Sequence, residues 1–203
     1  SSGLVETLLV VCPRSAFEAW TKEPQAVFRE GRLVEIFDGS FVEIDTQVLV
    51  VNYEQLENPA KLNLLSSWVV NQNAMIVLDE AHRVKGGGAS VRWRACRELV
   101  SGAKRVDLLT GTPMPQGYED LRNLFGISWR NVPRAFLSDE RLRSMPQNSI
   151  FVRTTKDELG LPPLTIREVV VPMGNLQAEV YSALARSYLG KFILSEAEES
   201  YFG

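Results

Sequence analysis

The 203-residue chain is poor in the residues that build metal centres and disulfide frameworks: it has two cysteines, Cys12 and Cys96, and one histidine, His82. Thiols so far apart fit neither a zinc spacing nor a disulfide scaffold. They are expected to be buried small hydrophobes in a reducing intracellular setting, cytoplasmic in a prokaryote or nuclear in a eukaryote. The chain also lacks an apolar run of the roughly 18 to 20 residues needed to span a bilayer, and Leu8 to Cys12 lacks the flanks of a signal peptide, so no membrane association is expected. Positive charge is not in excess: 22 Lys and Arg stand against 25 Asp and Glu, a net charge of -3. That excludes a global basic field, and any nucleic-acid contact must use local patches. There is no internal repeat and no low-complexity tract. Nor is there a G-x-x-x-x-G-K-[ST] phosphate loop; Gly86, Gly87 and Gly88 follow Lys85 in the wrong order and read as a flexible turn.

What is present suffices for one globular domain with a real core, since 45% of residues are hydrophobic and 23% charged. Short apolar runs recur at Leu8 to Val11, Val34 to Phe37, Val48 to Val51, Met75 to Leu78, Val106 to Leu109 and Val169 to Val171. Most are continuous rather than alternating, as in parallel strands buried on both faces. Helix-like stretches separate them: Ser15 to Phe28, Tyr53 to Ser66, Ser90 to Val100, Tyr118 to Phe125 and Asn175 to Leu189. The order predicts an open α/β sheet. Ser15 followed by Glu18 has the capping-box pattern, with Pro13 breaking the strand before it. In the last helix Leu176, Val180, Ala183, Leu184 and Tyr188 share one stripe, and Gly190 offers an end. The stretch Ile127 to Asn148 is poorly periodic and is expected to form short helices outside the sheet.

Ligands of open α/β sheets bind beyond the carboxyl ends of the strands. Three stretches place polar residues there. "MIVLDEAH" delivers two adjacent carboxylates: Asp79 is suited to hold hydrated Mg2+, and Glu80 to orient and deprotonate an attacking water. Adjacent strand residues point opposite ways, so the chain must turn here for both to face one ligand. Otherwise these are solvated charges after a strand. A zinc reading of Asp79, Glu80 and His82 is weak, because no second histidine or cysteine cluster completes it. "VDLLTGTP" sets Thr110, Gly111 and Thr112 before Pro113, which is either an ordinary turn or a set of hydroxyls bonding the carboxylates or His82. "LLVVCPRS" ends in Pro13, Arg14 and Ser15, where a helix cap and an anion site for a nucleic-acid phosphate are compatible readings. Arg92, Arg94 and Arg97 read as a solvated helix face, with a DNA-facing role as the alternative.

The order of these stretches says more than any one of them. "LLVVCPRSAFEAW", "VLVVNYEQL", "MIVLDEAHRVKG", "LLTGTPMPQGYEDL", "FVRTTKDELGLPP" and "NLQAEVYSAL" together resemble the first RecA-like lobe of Swi/Snf-type ATPases of helicase superfamily two, from about Leu8 to Leu184. The resemblance implies an α/β fold with a RecA-like, open, mainly parallel sheet and helices on both faces. It implies one partial motor lobe over residues 1–203: a core at about 8–126, an irregular excursion at 127–149, a C-terminal strand and helix at 150–190 and a tail at 191–203.

It further implies that Asp79 and Glu80 are the Walker B acids of an ATP- and Mg2+-dependent hydrolase. His82 would link them to the coupling motif Thr110, Gly111, Thr112 and Pro113. Pro13, Arg14 and Ser15 would grip the tracking strand of double-stranded DNA, and Asn52 and Tyr53 would form the next DNA-facing loop. Lys85 matches a family lysine, whereas Gly86 replaces the usual asparagine, and Gln116 and Gly117 also stand where the family prefers asparagines. The family's Walker A loop lies upstream of the strand at Leu8, and a second RecA-like lobe of the same parent chain completes the site. These 203 residues alone are therefore expected to hydrolyse ATP negligibly. A non-catalytic interaction module on the same scaffold and an RNA helicase lobe are the alternatives. An upstream glycine-rich G-K-[ST] segment would argue against the first, and stimulation by DNA rather than RNA against the second.

Overall fold

The computed structural model describes residues 5–27, 33–43, 45–129, 131–144, 152, 154, 158–160 and 165–200. The chain forms two compact units, Ser1–Arg153 and Thr154–Gly203. In the first, five strands make one all-parallel sheet: β1 (Leu8–Cys12), β2 (Val34–Ile36), β3 (Val48–Asn52), β4 (Met75–Asp79) and β5 (Arg105–Leu109), in the order β2-β3-β1-β4-β5. In β3 all five residues are buried, and in β1 all but Leu8. In these central strands the continuous apolar runs are covered on both faces, whereas the edge strands β2 and β5 are only partly buried. Register sets Cys12 beside Asn52 and Val11 beside Leu78, so β1, β3 and β4 end at one edge.

One face of the sheet carries α2 (Tyr53–Leu56), α3 (Pro59–Asn71), α4 (Val91–Leu99) and α5 (Tyr118–Ser128), packed on Leu9, Val11, Leu49, Val51, Ile76 and Leu78. On the opposite face, Phe17 and Trp20 of α1 (Phe17–Val27) pack against Val10, Cys12, Val48 and Val50. The result is the RecA-like three-layer α/β/α arrangement. The excursion after α5 contains a turn of 3-10 helix at Arg134–Phe136 and α6 (Asp139–Ser144), whose Leu142 packs with Leu121, Phe125 and Leu137.

Several sequence expectations need correction. Ser15 does not cap α1. Pro13, with φ -61° and ψ 149°, caps a turn of 3-10 helix at Arg14–Ala16 and makes no side-chain cap bond, and Glu18 pairs with Lys22 at 2.5 Å instead. Pro13, its φ fixed by the ring, stands at the cap, and the helical path starts at Arg14, one residue before Ser15. The stretch expected as one helix from Tyr53 divides at Asn58–Pro59. Proline cannot continue a helix, and Asn58 Oδ1 accepts the amides of Ala60 and Lys61 to begin the next one. Arg92, Arg94 and Arg97 are not merely solvated: Arg92 bonds Glu54 and Glu57, Arg94 donates to the Gly88 carbonyl and Arg97 to the Gly126 carbonyl.

In the second unit, Val169 to Val171 form no strand and are 71%, 83% and 75% exposed. A strand needs a partner edge, and the described residues of this unit contain none. Helix α7 (Asn175–Ser200) runs through Gly190 rather than ending there. A glycine inside a helix costs only about 1 kcal/mol. The motif "FVRTTKDELGLPP" falls largely outside the described residues.

Candidate functional site

The site is built where β4 ends. Glu80, directly after the strand, has φ 52° and ψ 47°, the left-handed conformation that few non-glycine residues adopt. This is the turn that two adjacent carboxylates need in order to face one ligand. A turn of 3-10 helix follows at Ala81–Val84. Its first residues bring the His82 imidazole back onto the acid: Nδ1 lies 3.0 Å from Glu80 Oε2. The same nitrogen lies 3.4 Å from Thr110 Oγ1, just beyond β5, and Thr110 Oγ1 also accepts the Thr112 amide at 3.1 Å. The Glu80 carboxylate, the histidine and the threonine loop therefore form one connected group.

Asp79 is held at three atoms. Its Oδ1 accepts the Glu80 amide at 2.9 Å, its Oδ2 accepts Trp20 Nε1–H at 2.9 Å, and its carbonyl accepts the Tyr53 hydroxyl at 2.7 Å. Tyr53 is fully buried, and burial first, then the thiol of Cys96 and the charge of Asp79, push its hydroxyl well above the ordinary phenol range. Burial, aided by Asp79, likewise pushes the Cys12 thiol up to about 12. Sequence reasoning did not find Trp20.

Asn52 and Tyr53, read as a DNA-facing loop, are 2% and 0% exposed. Asn52 caps α2: its Oδ1 accepts the Gln55 amide at 2.9 Å, while Gln55 Oε1 accepts the Asn52 amide at 3.0 Å, a complete capping box. Both side chains are engaged inside the protein. Pro13 is buried, whereas Arg14 and Ser15 are exposed at the same sheet edge. Among the described residues no side-chain hydrogen bond or ion pair joins Pro13, Arg14, Ser15 or Lys85 to Asp79, Glu80, His82 or Thr110, although the Lys85 amide donates to the His82 carbonyl at 3.3 Å. Lys85 is half-buried, and its carbonyl accepts Asn123 Nδ2 at 2.7 Å, tying the loop after β4 to α5. Gly87 lies under that amide with φ 62°, where a Cβ would stand 2.8 Å from Asn123 Oδ1. Gly111 is exposed, and a Cβ there would meet nothing within 4 Å.

The donor set can be tested for a cation. Among the described residues no group of three or more His, Cys, Asp or Glu could hold a metal by itself, which leaves the zinc reading without support. Mg2+ needs less from protein: it keeps most of its waters and takes one or two carboxylates together with phosphate oxygens. Asp79 fits that role, since each of its oxygens accepts one hydrogen bond and retains a lone pair. Among the described residues no helix is long and apolar enough to cross a membrane.

No curated protein matches the chain significantly. Among solved structures it is similar to the Sulfolobus solfataricus SWI2/SNF2 ATPase core in complex with dsDNA, with a TM-score of 0.59 and 21% identity. That similarity covers 78% of this chain and 36% of the other, so the chain spans little more than a third of that ATPase core. The likeness establishes the fold. The family rests on sequence: residues 1–132 match the SNF2-related domain, and the chain belongs to the SNF2-related domain family.

Proposed function

We propose that this chain is the first motor lobe of an ATP-dependent double-stranded-DNA translocase of the Swi/Snf type. The observation that carries the reading is the left-handed turn at Glu80, which sets Asp79 and Glu80 together at the carboxyl edge with His82 between Glu80 and Thr110. A strained conformation at a strand end is retained where the surrounding structure has a use for it. Bound with ATP, Mg2+ would supply neutralisation of the phosphate charge. Asp79, held by Trp20 and its own neighbour's amide, would anchor the hydrated ion. Glu80, 47% exposed at the side chain, is free to accept a proton from the attacking water. His82 touches both the acid and the threonine loop, and so relays the state of one to the other.

Double-stranded DNA is the partner this reading requires, with the exposed Arg14 and Ser15 as its phosphate contacts on this lobe. A second RecA-like lobe of the same protein would close over the nucleotide. The two free, buried cysteines suit a reducing intracellular compartment. The test is Glu80→Gln in the full-length protein. Binding of a fluorescent nucleotide should persist while DNA-stimulated phosphate release falls by about 10²-fold or more. Phosphate release at the wild-type rate would remove Glu80 as the base, and with it this reading.

A further inference from the structure

We infer that Trp20 is a positioning residue for the Asp79 carboxylate, setting it to receive the hydrated divalent cation that accompanies a bound nucleotide; the inference rests on the nucleotide reading above. Trp20 lies 59 residues upstream of Asp79, on the helix that covers the opposite face of the sheet from Tyr53. Its half-buried ring packs against the cluster of Val10, Cys12, Val48 and Val50, which limits the freedom of the indole. From that fixed position Nε1–H reaches Asp79 Oδ2 at 2.9 Å. The Glu80 amide reaches the other oxygen, Oδ1, at the same distance. Two donors on two different oxygens fix the plane of the carboxylate as well as its place.

The choice of donor has a chemical consequence. An indole N–H donates and never accepts, and it carries no charge. A lysine or arginine in its place would also hold the carboxylate but would neutralise it and repel a cation. Trp20 orients Asp79 and leaves its full negative charge available. The Tyr53 hydroxyl, arriving from the other layer, bonds the Asp79 carbonyl and not the carboxylate, so it restrains the backbone without competing for the side chain. This division of labour matches what outer-shell partners do in metal sites, where they orient the ligand that the ion sees.

The experiment is a Mg2+ titration of fluorescent-nucleotide binding to the full-length protein carrying Trp20→Phe, which keeps an apolar ring and removes the N–H. The expected result is a Mg2+ midpoint raised about tenfold, with nucleotide affinity in EDTA unchanged. Trp20→His, which keeps a ring N–H, should fall between Trp20→Phe and wild type. A wild-type midpoint in Trp20→Phe would overturn the inference, as would an equal loss of binding with and without Mg2+, which a purely structural role would give. Wild-type protein that shows no Mg2+-dependent nucleotide binding would sink the nucleotide reading itself, and the inference with it. Where Trp20→Phe does not fold, the wild-type protein labelled with 5-fluorotryptophan provides the second measurement. The Trp20 19F resonance, assigned by its loss in Trp20→His, should move on addition of Mg2+ with nucleotide but not of nucleotide in EDTA. A resonance that stays in place in both cases overturns the proposal.

Discussion

The imidazole Nδ1 of His82 stands 3.0 Å from Oε2 of Glu80, and the hydroxyl of Thr110 waits 3.4 Å from the same nitrogen. One ring nitrogen carries at most one proton. Protonated, it donates to Glu80; bare, it accepts from Thr110. His82 can therefore serve the acid or the loop, and the coupling proposed above would use that alternative.

His82→Ala removes that choice while leaving both carboxylates in place. In the full-length protein, nucleotide binding should persist, and the ratio of DNA-stimulated to basal hydrolysis should fall about tenfold, within the usual range of coupling energies. Steady-state phosphate release with and without duplex DNA measures it. An unchanged ratio would remove His82 from the coupling route.

Gly87 and Gly88 are neighbours with opposite requirements. Gly87 has φ 62° and would drive a Cβ to 2.8 Å from Asn123 Oδ1, whereas a Cβ at Gly88 meets nothing within 4 Å. Asn123 is 7% exposed and its amide holds the Lys85 carbonyl, so it cannot simply swing away. Gly87→Ala should destabilise the fold by about 2–3 kcal/mol, from left-handed strain and overpacking together. Gly88→Ala should stay within about 0.5 kcal/mol. Urea unfolding of the two variants side by side decides it, and equal effects would refute the assignment.

The capping box at Asn52 makes a further prediction. Asn52→Ala deletes the acceptor of the Gln55 amide at a position 2% exposed. Loss of such a cap costs about 1–2 kcal/mol. Asn52→Ser, which still offers a side-chain oxygen, should recover most of that loss. Thermal unfolding of both variants is the check; an alanine variant as stable as wild type would show that the cap contributes nothing.

Where sequence legibility held and where it failed has a physical pattern. The strands were legible because residues such as Leu9, Val10 and Val11 are apolar without alternation, and only a strand covered on both faces needs that. The turn at Glu80 was legible as a requirement, because two adjacent strand residues cannot face one ligand. The N-x-x-Q signature of Asn52 and Gln55 was visible too, but its capping role was not read from it. Asn58–Pro59 likewise carried a break signal that the apolar pattern around it obscured. Val169 to Val171 misled because apolarity favours a strand only where an edge exists to pair with. Trp20 was out of reach altogether, since the direction of its N–H is set by packing against residues on β1 and β3.

The two cysteines make stability depend on pH in a direction that can be worked out. Burial is the main cause that pushes both thiols from an ordinary 9.0 to about 12. Between those values the unfolded chain has released the thiol protons and the folded chain has kept them. The unfolded state then binds fewer protons, so stability is intact below pH 9 and is lost as pH rises toward 12. Each thiol can contribute a loss of up to about 1.4 kcal/mol per pH unit in that window. Tyr53, also raised by burial, adds to the loss in the same direction. Urea unfolding under reducing conditions at pH 8, 9, 10 and 10.5 should show midpoints that fall with rising slope. Cys12→Ala and Cys96→Ala should each flatten the profile, even where the substitution lowers stability at pH 8 through the small void it leaves. A wild-type profile level from pH 8 to 10.5 would contradict the buried, neutral state of both thiols.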